Sequence, residues 1–239
     1  MSAHAEMMDK HIAARFDRDF GALASRVMAL GGLVEAQTRH AVRALLAGDA
    51  AVAQDVVDME HRVDELEREI DRDLSSAIGR RQPKATELRL LTAMARTTSN
   101  LERVGDEAEQ IARGAQAMAL ESRTAGGFQP AELERAADLA AAQLHKVLDA
   151  LARLDTEDAV AVLREDRALD QEFHRFLASA SARMAVQPRC VRAGLDLVLV
   201  ARAIERIGDH AKNIAECIIY IVQGADVRHA DPESLAPKA

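Results

Sequence analysis

The sequence predicts an all-α protein: two tandem three-helix bundles of long antiparallel helices, related by an internal pseudo-twofold repeat. Three observations carry this prediction. Ala, Leu, Arg, Glu and Asp dominate, Trp is absent and aromatic residues are only 3%, so the residues that favour strands are scarce. Apolar residues recur at helical spacing almost without interruption. The second half of the chain also repeats the first.

Six helical segments follow in order. The first, roughly 10–47, stops at Ala47-Gly48-Asp49, and the second, 50–80, stops before Arg81-Gln82-Pro83. The third runs 84–121 and closes in Thr124-Ala125-Gly126-Gly127. The fourth, 131–153, ends at Leu154-Asp155; the fifth, 156–185, ends before Gln187-Pro188; the sixth, 189–223, ends at Gly224. Glycine and proline stop helices, while proline fits the first turn of the next, so Pro83, Pro130 and Pro188 read as helix starts. Segments of about 30 residues span roughly 45 Å at 1.5 Å per residue. Joined by short turns, they must pack as up-down bundles. On the third segment Leu88, Leu91, Ala95 and Thr98 form an apolar stripe; on the sixth, Val191, Leu195 and Val198 follow the same rhythm up to Arg202.

The repeat is explicit. Ala44-Leu45, Asp49, Ala53, Val56, Glu60 and Asp64 match Ala150-Leu151, Asp155, Ala159, Val162, Asp166 and Asp170 at an offset of 106. Beyond the prolines the offset is 103, and Leu101 to Asp106 matches Ile204 to Asp209. An offset that changes only at the turn implies two copies of one unit, differing by a short deletion. The units are read as 10–125 and 128–224, meeting at Gly126-Gly127-Phe128-Gln129, with 225–239 as a flexible tail that has lost periodicity.

Composition excludes several roles. A formal net charge of −8 argues against a general grip on nucleic acid, which needs a basic face. Cys190 and Cys217 have neither CxxC spacing nor a His pattern, and read as buried, reduced thiols. The charged N-terminal stretch shows no signal peptide, and no apolar run approaches the length of a membrane span. A cytoplasmic protein, peripheral to membrane complexes at most, is expected.

The chemistry resides in eight acids. Glu60 and Asp64 precede Pro83, and Glu102 and Asp106 follow it; 64 and 102 are each 19 residues from the proline, 60 and 106 each 23. Around Pro188, Asp166 and Asp170 precede while Glu205 and Asp209 follow, 170 and 205 lying 18 and 17 residues away and 166 and 209 lying 22 and 21. Residues four apart share a helix face with Cβ atoms about 5–6 Å apart. A hairpin folded at each proline therefore gathers four carboxylates at one level. Like charges at that spacing cost a few tenths of a kcal/mol, and four ionised carboxylates together repel or protonate. A bound cation resolves the conflict. Oxygen-only ligands favour hard ions such as Mg²⁺, Mn²⁺, Ca²⁺ or iron; Zn²⁺ stays open as an alternative, without its usual Cys and His set.

Neighbouring residues carry open alternatives. Arg103 and Arg206 either neutralise the clusters in part or are ordinary surface arginines. Gly105 and Gly208 each cost about 1 kcal/mol in a helix; they permit either close helix approach or access for an ion or a partner. Glu109, His210, Asn213 and Glu216 lie a turn or so further along and are candidates to extend a site.

The stretch Leu101 to Ala112 and its echo Ile204 to Glu216, each with Glu-Arg-Xaa-Gly-Asp, resemble the PhoU family over about 10–223. The resemblance implies tandem three-helix bundles with E(D)xxxD motifs holding multinuclear metal clusters of iron, manganese, magnesium or zinc. The motif positions match Glu60, Asp64, Glu102, Asp106, Asp166, Asp170, Glu205 and Asp209. Asp166 stands where the first half has Glu60, one methylene shorter. The implied function is negative regulation of the phosphate-starvation response and of high-affinity phosphate uptake. The implied partners are the sensor histidine kinase of the phosphate regulon and the ATPase subunit of the phosphate ABC transporter, with a homodimer expected.

Two other readings compete. A carboxylate-bridged di-metal enzyme would add Glu-x-x-His motifs to its bundle. Here the residues three beyond Glu60, Glu102, Asp166 and Glu205 are Val63, Gly105, Leu169 and Gly208. No nucleophile–base set or phosphate loop is visible either, so no enzyme is expected. A metal-free helical scaffold is the other alternative.

Overall fold

The computed structural model describes residues 3–81, 83–120, 128–228, 230, 231 and 235. Among them are six α-helices and no strand: α1 (Ala3–Ala47), α2 (Ala50–Arg81), α3 (Ala85–Leu120), α4 (Glu134–Arg153), α5 (Thr156–Val186) and α6 (Val191–Gln223). The predicted architecture is therefore observed. The Thr124–Gly127 stop signal lies outside the described residues.

The turns are built alike in the two halves. After α1, Gly48 takes the left-handed conformation (φ 66°), and Asp49 Oδ1 caps α2 by accepting from the N–H groups of Ala51 and Val52 at 3.0 and 3.1 Å. After α4, Leu154 takes the same left-handed turn (φ 52°), and Asp155 caps α5 by accepting from Glu157 and Asp158 at 2.9 and 3.2 Å. The prolines act slightly differently from the expectation that they begin helices. Pro83 precedes Lys84, whose N–H is capped by the Glu87 side chain at 2.9 Å. Pro130 and Pro188 open short 3₁₀ turns, Pro130–Leu133 and Pro188–Cys190, that lead into α4 and α6.

Helices α1–α3 pack as one antiparallel unit and α4–α6 as another. Among the described residues the most extensive helix pairing, however, joins α3 to α6, with α1 also touching α4. Leu101, Val104 and Ile111 of α3 and Ile204, Ile207 and Ile214 of α6 are all buried, and one continuous core runs through both units. Close approach at the seam needs small residues. A Cβ on Gly114 would strike Val200, and one on Gly31 of α1 would lie 2.6 Å from Leu148 Cδ2.

Two expectations need correction. The stripe through Val191 and Leu195 does not face the core: Leu195 is 52% exposed, and Leu88 of α3 is exposed as well. α6 is packed against α3, α4 and α5, so several of its faces are apolar and periodicity alone cannot choose the inward one. Gly194, Leu197, Val200 and Ile204 do that work. The tail also departs from simple looseness where it is described, because Val227 is buried in the core cluster. Both cysteines are free and buried, as expected.

Candidate functional site

Each hairpin brings its acids together. α2 carries Glu60 and Asp64, opposite Glu102 and Asp106 on α3; α5 carries Asp166 and Asp170, opposite Glu205 and Asp209 on α6. Their floors are buried, with Glu60 8%, Asp166 5% and Glu205 6% exposed, whereas the other acids stand at a wetter rim. Burial first, then repulsion from neighbouring acids, displaces the titration of Glu60, Glu102, Asp106, Glu205 and Asp209. Glu60 is pushed up to about 7, its charge opposed by burial and by Asp106, Glu109 and Asp64 while a Gln37 hydrogen bond resists. Glu102 rises to about 7 through burial, Asp106 and Glu67. Glu205 rises to about 7 through burial and Asp209, and Asp209 is raised by burial and Asp166. The acids are electrostatic neighbours without forming a closed ligand shell. Among the described residues no three Asp, Glu, His or Cys side chains converge tightly enough to hold an ion as they stand.

Two residues of the clusters were not singled out from sequence. Gln37 of α1 is fully buried and donates from Nε2 to Glu60 Oε2 at 2.6 Å. Its counterpart at the same offset of 106, Gln143 of α4, is also buried, and neither of its polar side-chain atoms has a partner. Glu60 Oε1 and Glu205 Oε2 are buried and unpartnered too. A signal existed: Gln37 and Gln143 each lie seven residues before the Ala-Leu pair that anchors the repeat.

The glutamines also explain the helix glycines. A Cβ on Gly105 would lie 3.0 Å from Glu60 Oε2, 3.1 Å from Val63 Cγ1 and 3.2 Å from Gln37 Oε1. A Cβ on Gly208 would meet Leu169 and lie 2.8 Å from Gln143 Oε1. Close helix approach over the acid floor is the cause.

The remaining candidates divide. Glu109 belongs with the first cluster, since its charge raises both Glu60 and Asp106. His210 and Asn213 turn instead to the α3–α6 seam, meeting Asn100 Oδ1 at 3.1 and 3.0 Å. Glu216 lines a cavity of about 290 Å³ with Arg96, Asn100, Cys217 and Tyr220. Arg206 pairs with the buried Glu107 of α3 at 2.9 Å. Arg103 makes no ion pair among the described residues, but its charge offsets part of the rise that burial and neighbouring acids impose on Glu102 and Asp106.

The PhoU domain family matches this chain twice, at residues 27–115 and 133–218, once across each acid cluster. The chain belongs to the PhoU family. A Burkholderia protein named phosphate-specific transport system accessory protein PhoU homolog is 41% identical over 238 residues, covering 98% of this chain and 99% of its own. The Escherichia coli phosphate-specific transport system accessory protein PhoU is 36% identical over 230 residues, covering 95% and 93%. The crystal structure of PhoU from Pseudomonas aeruginosa superposes with a TM-score of 0.84 at 34% identity, over 88% of this chain and 100% of that one. The regulatory protein PhoU of the phosphate transport system from Streptococcus pneumoniae shares the fold, with a TM-score of 0.81 at 22% identity over 89% and 99%. No described helix of this PhoU protein is long and apolar enough to cross a membrane.

Proposed function

We propose that this protein is an accessory of phosphate transport that restrains high-affinity phosphate uptake and the phosphate-starvation response when phosphate is plentiful. It would act as a metal-bearing adaptor between the ATPase subunit of the phosphate ABC transporter and the sensor histidine kinase, as a homodimer in the cytoplasm. The names and near-complete coverage of its relatives support the transport role. One structural observation supports the metal: each half carries four clustered acids over a floor that leaves a buried carboxylate oxygen unpartnered, Glu60 Oε1 in one and Glu205 Oε2 in the other.

The donor types suit a hard cation, which the side chains would have to turn inward to hold. Unsatisfied carboxylate oxygens in low-dielectric surroundings are costly, and the donor set is oxygen only, as iron, manganese or magnesium prefers; zinc fits less well. Glu60, Asp64, Glu102 and Asp106 would hold one site, and Asp166, Asp170, Glu205 and Asp209 the other. The ion would supply positive charge and a cross-link between helices, α2 to α3 and α5 to α6.

Deleting the gene should derepress phosphate-regulated alkaline phosphatase in rich phosphate. Full repression in the deletion strain would sink the regulatory reading. Metal analysis of protein prepared without chelator tests the sites separately, stoichiometric metal being expected and metal-free protein overturning them. Capture of the kinase and of the transporter ATPase on this protein tests the adaptor role.

A further inference from the structure

The two clusters match in their four acids but not in what surrounds them. At three matched positions the charge is reversed or replaced. Glu67 in the first half corresponds to Phe173 in the second, Ser99 to Arg202, and Glu109 to Lys212. Counting these positions with the four acids, the first cluster has six carboxylates and the second four carboxylates and two cations; Arg103 and Arg206 act on the first only from a distance.

Those cations are engaged. Lys212 Nζ donates to Asp166 Oδ2 at 2.8 Å, and Arg202 Nη1 donates to Glu205 Oε1 at 2.6 Å. Arg202 is braced by the Phe173 ring, 5.7 Å from its guanidinium carbon to the ring centroid. In the first cluster no ion pair among the described residues reaches Glu60, Glu102 or Asp106. Arg68 stands 3.7 Å from Asp64 at the exposed rim, and Arg113 pairs with Glu109 at 2.6 Å. Glu60 has the neutral Gln37 as its donor. Asp166, one methylene shorter, makes no bond to Gln143, and Lys212 reaches it instead.

We infer that Arg202 and Lys212 are built-in counter-cations of the second cluster, so that a divalent cation loads the first cluster in preference and enters the second only against these side chains. The inference rests on the reading that the clusters bind metal. A cation entering the first cluster meets Glu60, Glu102 and Asp106 with no ion pair to break, Arg68 and Arg113 engaging only Asp64 and Glu109 and Arg103 acting from a distance; one entering the second must break two charge-assisted hydrogen bonds and approach two like charges.

Titration of the metal-free protein with Mn²⁺, followed by electron paramagnetic resonance and calorimetry, tests it. Two classes of site are expected, the tighter lost in Glu102→Gln/Asp106→Asn and the weaker in Glu205→Gln/Asp209→Asn. Arg202→Ser/Lys212→Glu, which installs the first half's residues, should tighten the weaker class by about tenfold or more. Ser99→Arg/Glu109→Lys should weaken the tighter class comparably, and helicity measured alongside secures the fold of each variant. Indistinguishable classes, or a second class unmoved by the Arg202 and Lys212 changes, would overturn the counter-cation assignment while leaving metal binding intact. No Mn²⁺ bound by any variant would overturn both.

Discussion

The first and second acid clusters are one motif under two electrostatic regimes. Both sit between antiparallel helices, beside a buried glutamine from a third helix and a glycine that lets the helices close. In the first, repulsion among acids is left standing, and the deepest glutamate is held by a neutral amide. In the second, an ammonium and a guanidinium already occupy the acids. Duplication preserved the backbone geometry and the four acids while the surrounding charge diverged. Identical motifs therefore do not imply identical affinity for an ion.

The largest expected consequence is in the pH dependence of stability without metal. Glu60, Glu102 and Glu205 are raised from 4.5 to about 7 in the folded protein. A group raised on folding stabilises fully below its unfolded value and loses that contribution as pH rises through its folded value. In chelator, urea unfolding should therefore show these carboxylates withdrawing stability between about pH 4.5 and 7. The sum is on the order of 3 kcal/mol once discounted for carboxylates partly in water. Two of the three groups are in the first cluster, so Glu60→Gln and Glu102→Gln together should flatten the slope more than Glu205→Gln. A greater flattening from Glu205→Gln would reverse the comparison.

A smaller effect separates the counter-charges themselves. Lys212→Met leaves the buried Asp166 without its cation and should cost about 2 kcal/mol at pH 7 in chelator, less than a fully buried pair because the lysine is partly exposed. Glu109→Gln, at the matched position, forfeits an exposed pair with Arg113 but relieves Glu60 and Asp106. It should change stability by less than about 0.5 kcal/mol. Equal losses in denaturant midpoint would mean that the two clusters are electrostatically alike.

These contrasts also mark what sequence could reveal. The six helices, the repeat and all eight acids were legible, because helix stops and offsets are local properties of the chain. Lys212 and Arg202 were not assigned to Asp166 and Glu205, because a charged residue on a helix has no visible partner until the third dimension is known. The outward stripe of Val191 and Leu195 misled because α6 is packed by three other helices, which leaves apolar residues on more than one face. Gln37 and Gln143 were discoverable: extending the same offset seven residues upstream pairs them.

A local effect tests the repeat away from its acids. Gly48 and Leu154 occupy matched left-handed positions with φ of 66° and 52°. Only glycine adopts that region without a Cβ clash, which costs other residues roughly 1–2 kcal/mol. Leu154 is exposed, so little packing offsets its strain. Leu154→Gly should therefore stabilise the second half by about 0.5–1 kcal/mol, the relief partly cancelled by the greater freedom of glycine in the unfolded chain. Gly48→Ala should destabilise by about 1 kcal/mol, since a Cβ there meets open space and the backbone strain stands alone. Thermal unfolding of both variants measures the pair. A loss of stability in Leu154→Gly would show that the leucine makes contacts worth more than its strain, and that the two turns, like the two clusters, are matched in position but not in energetics.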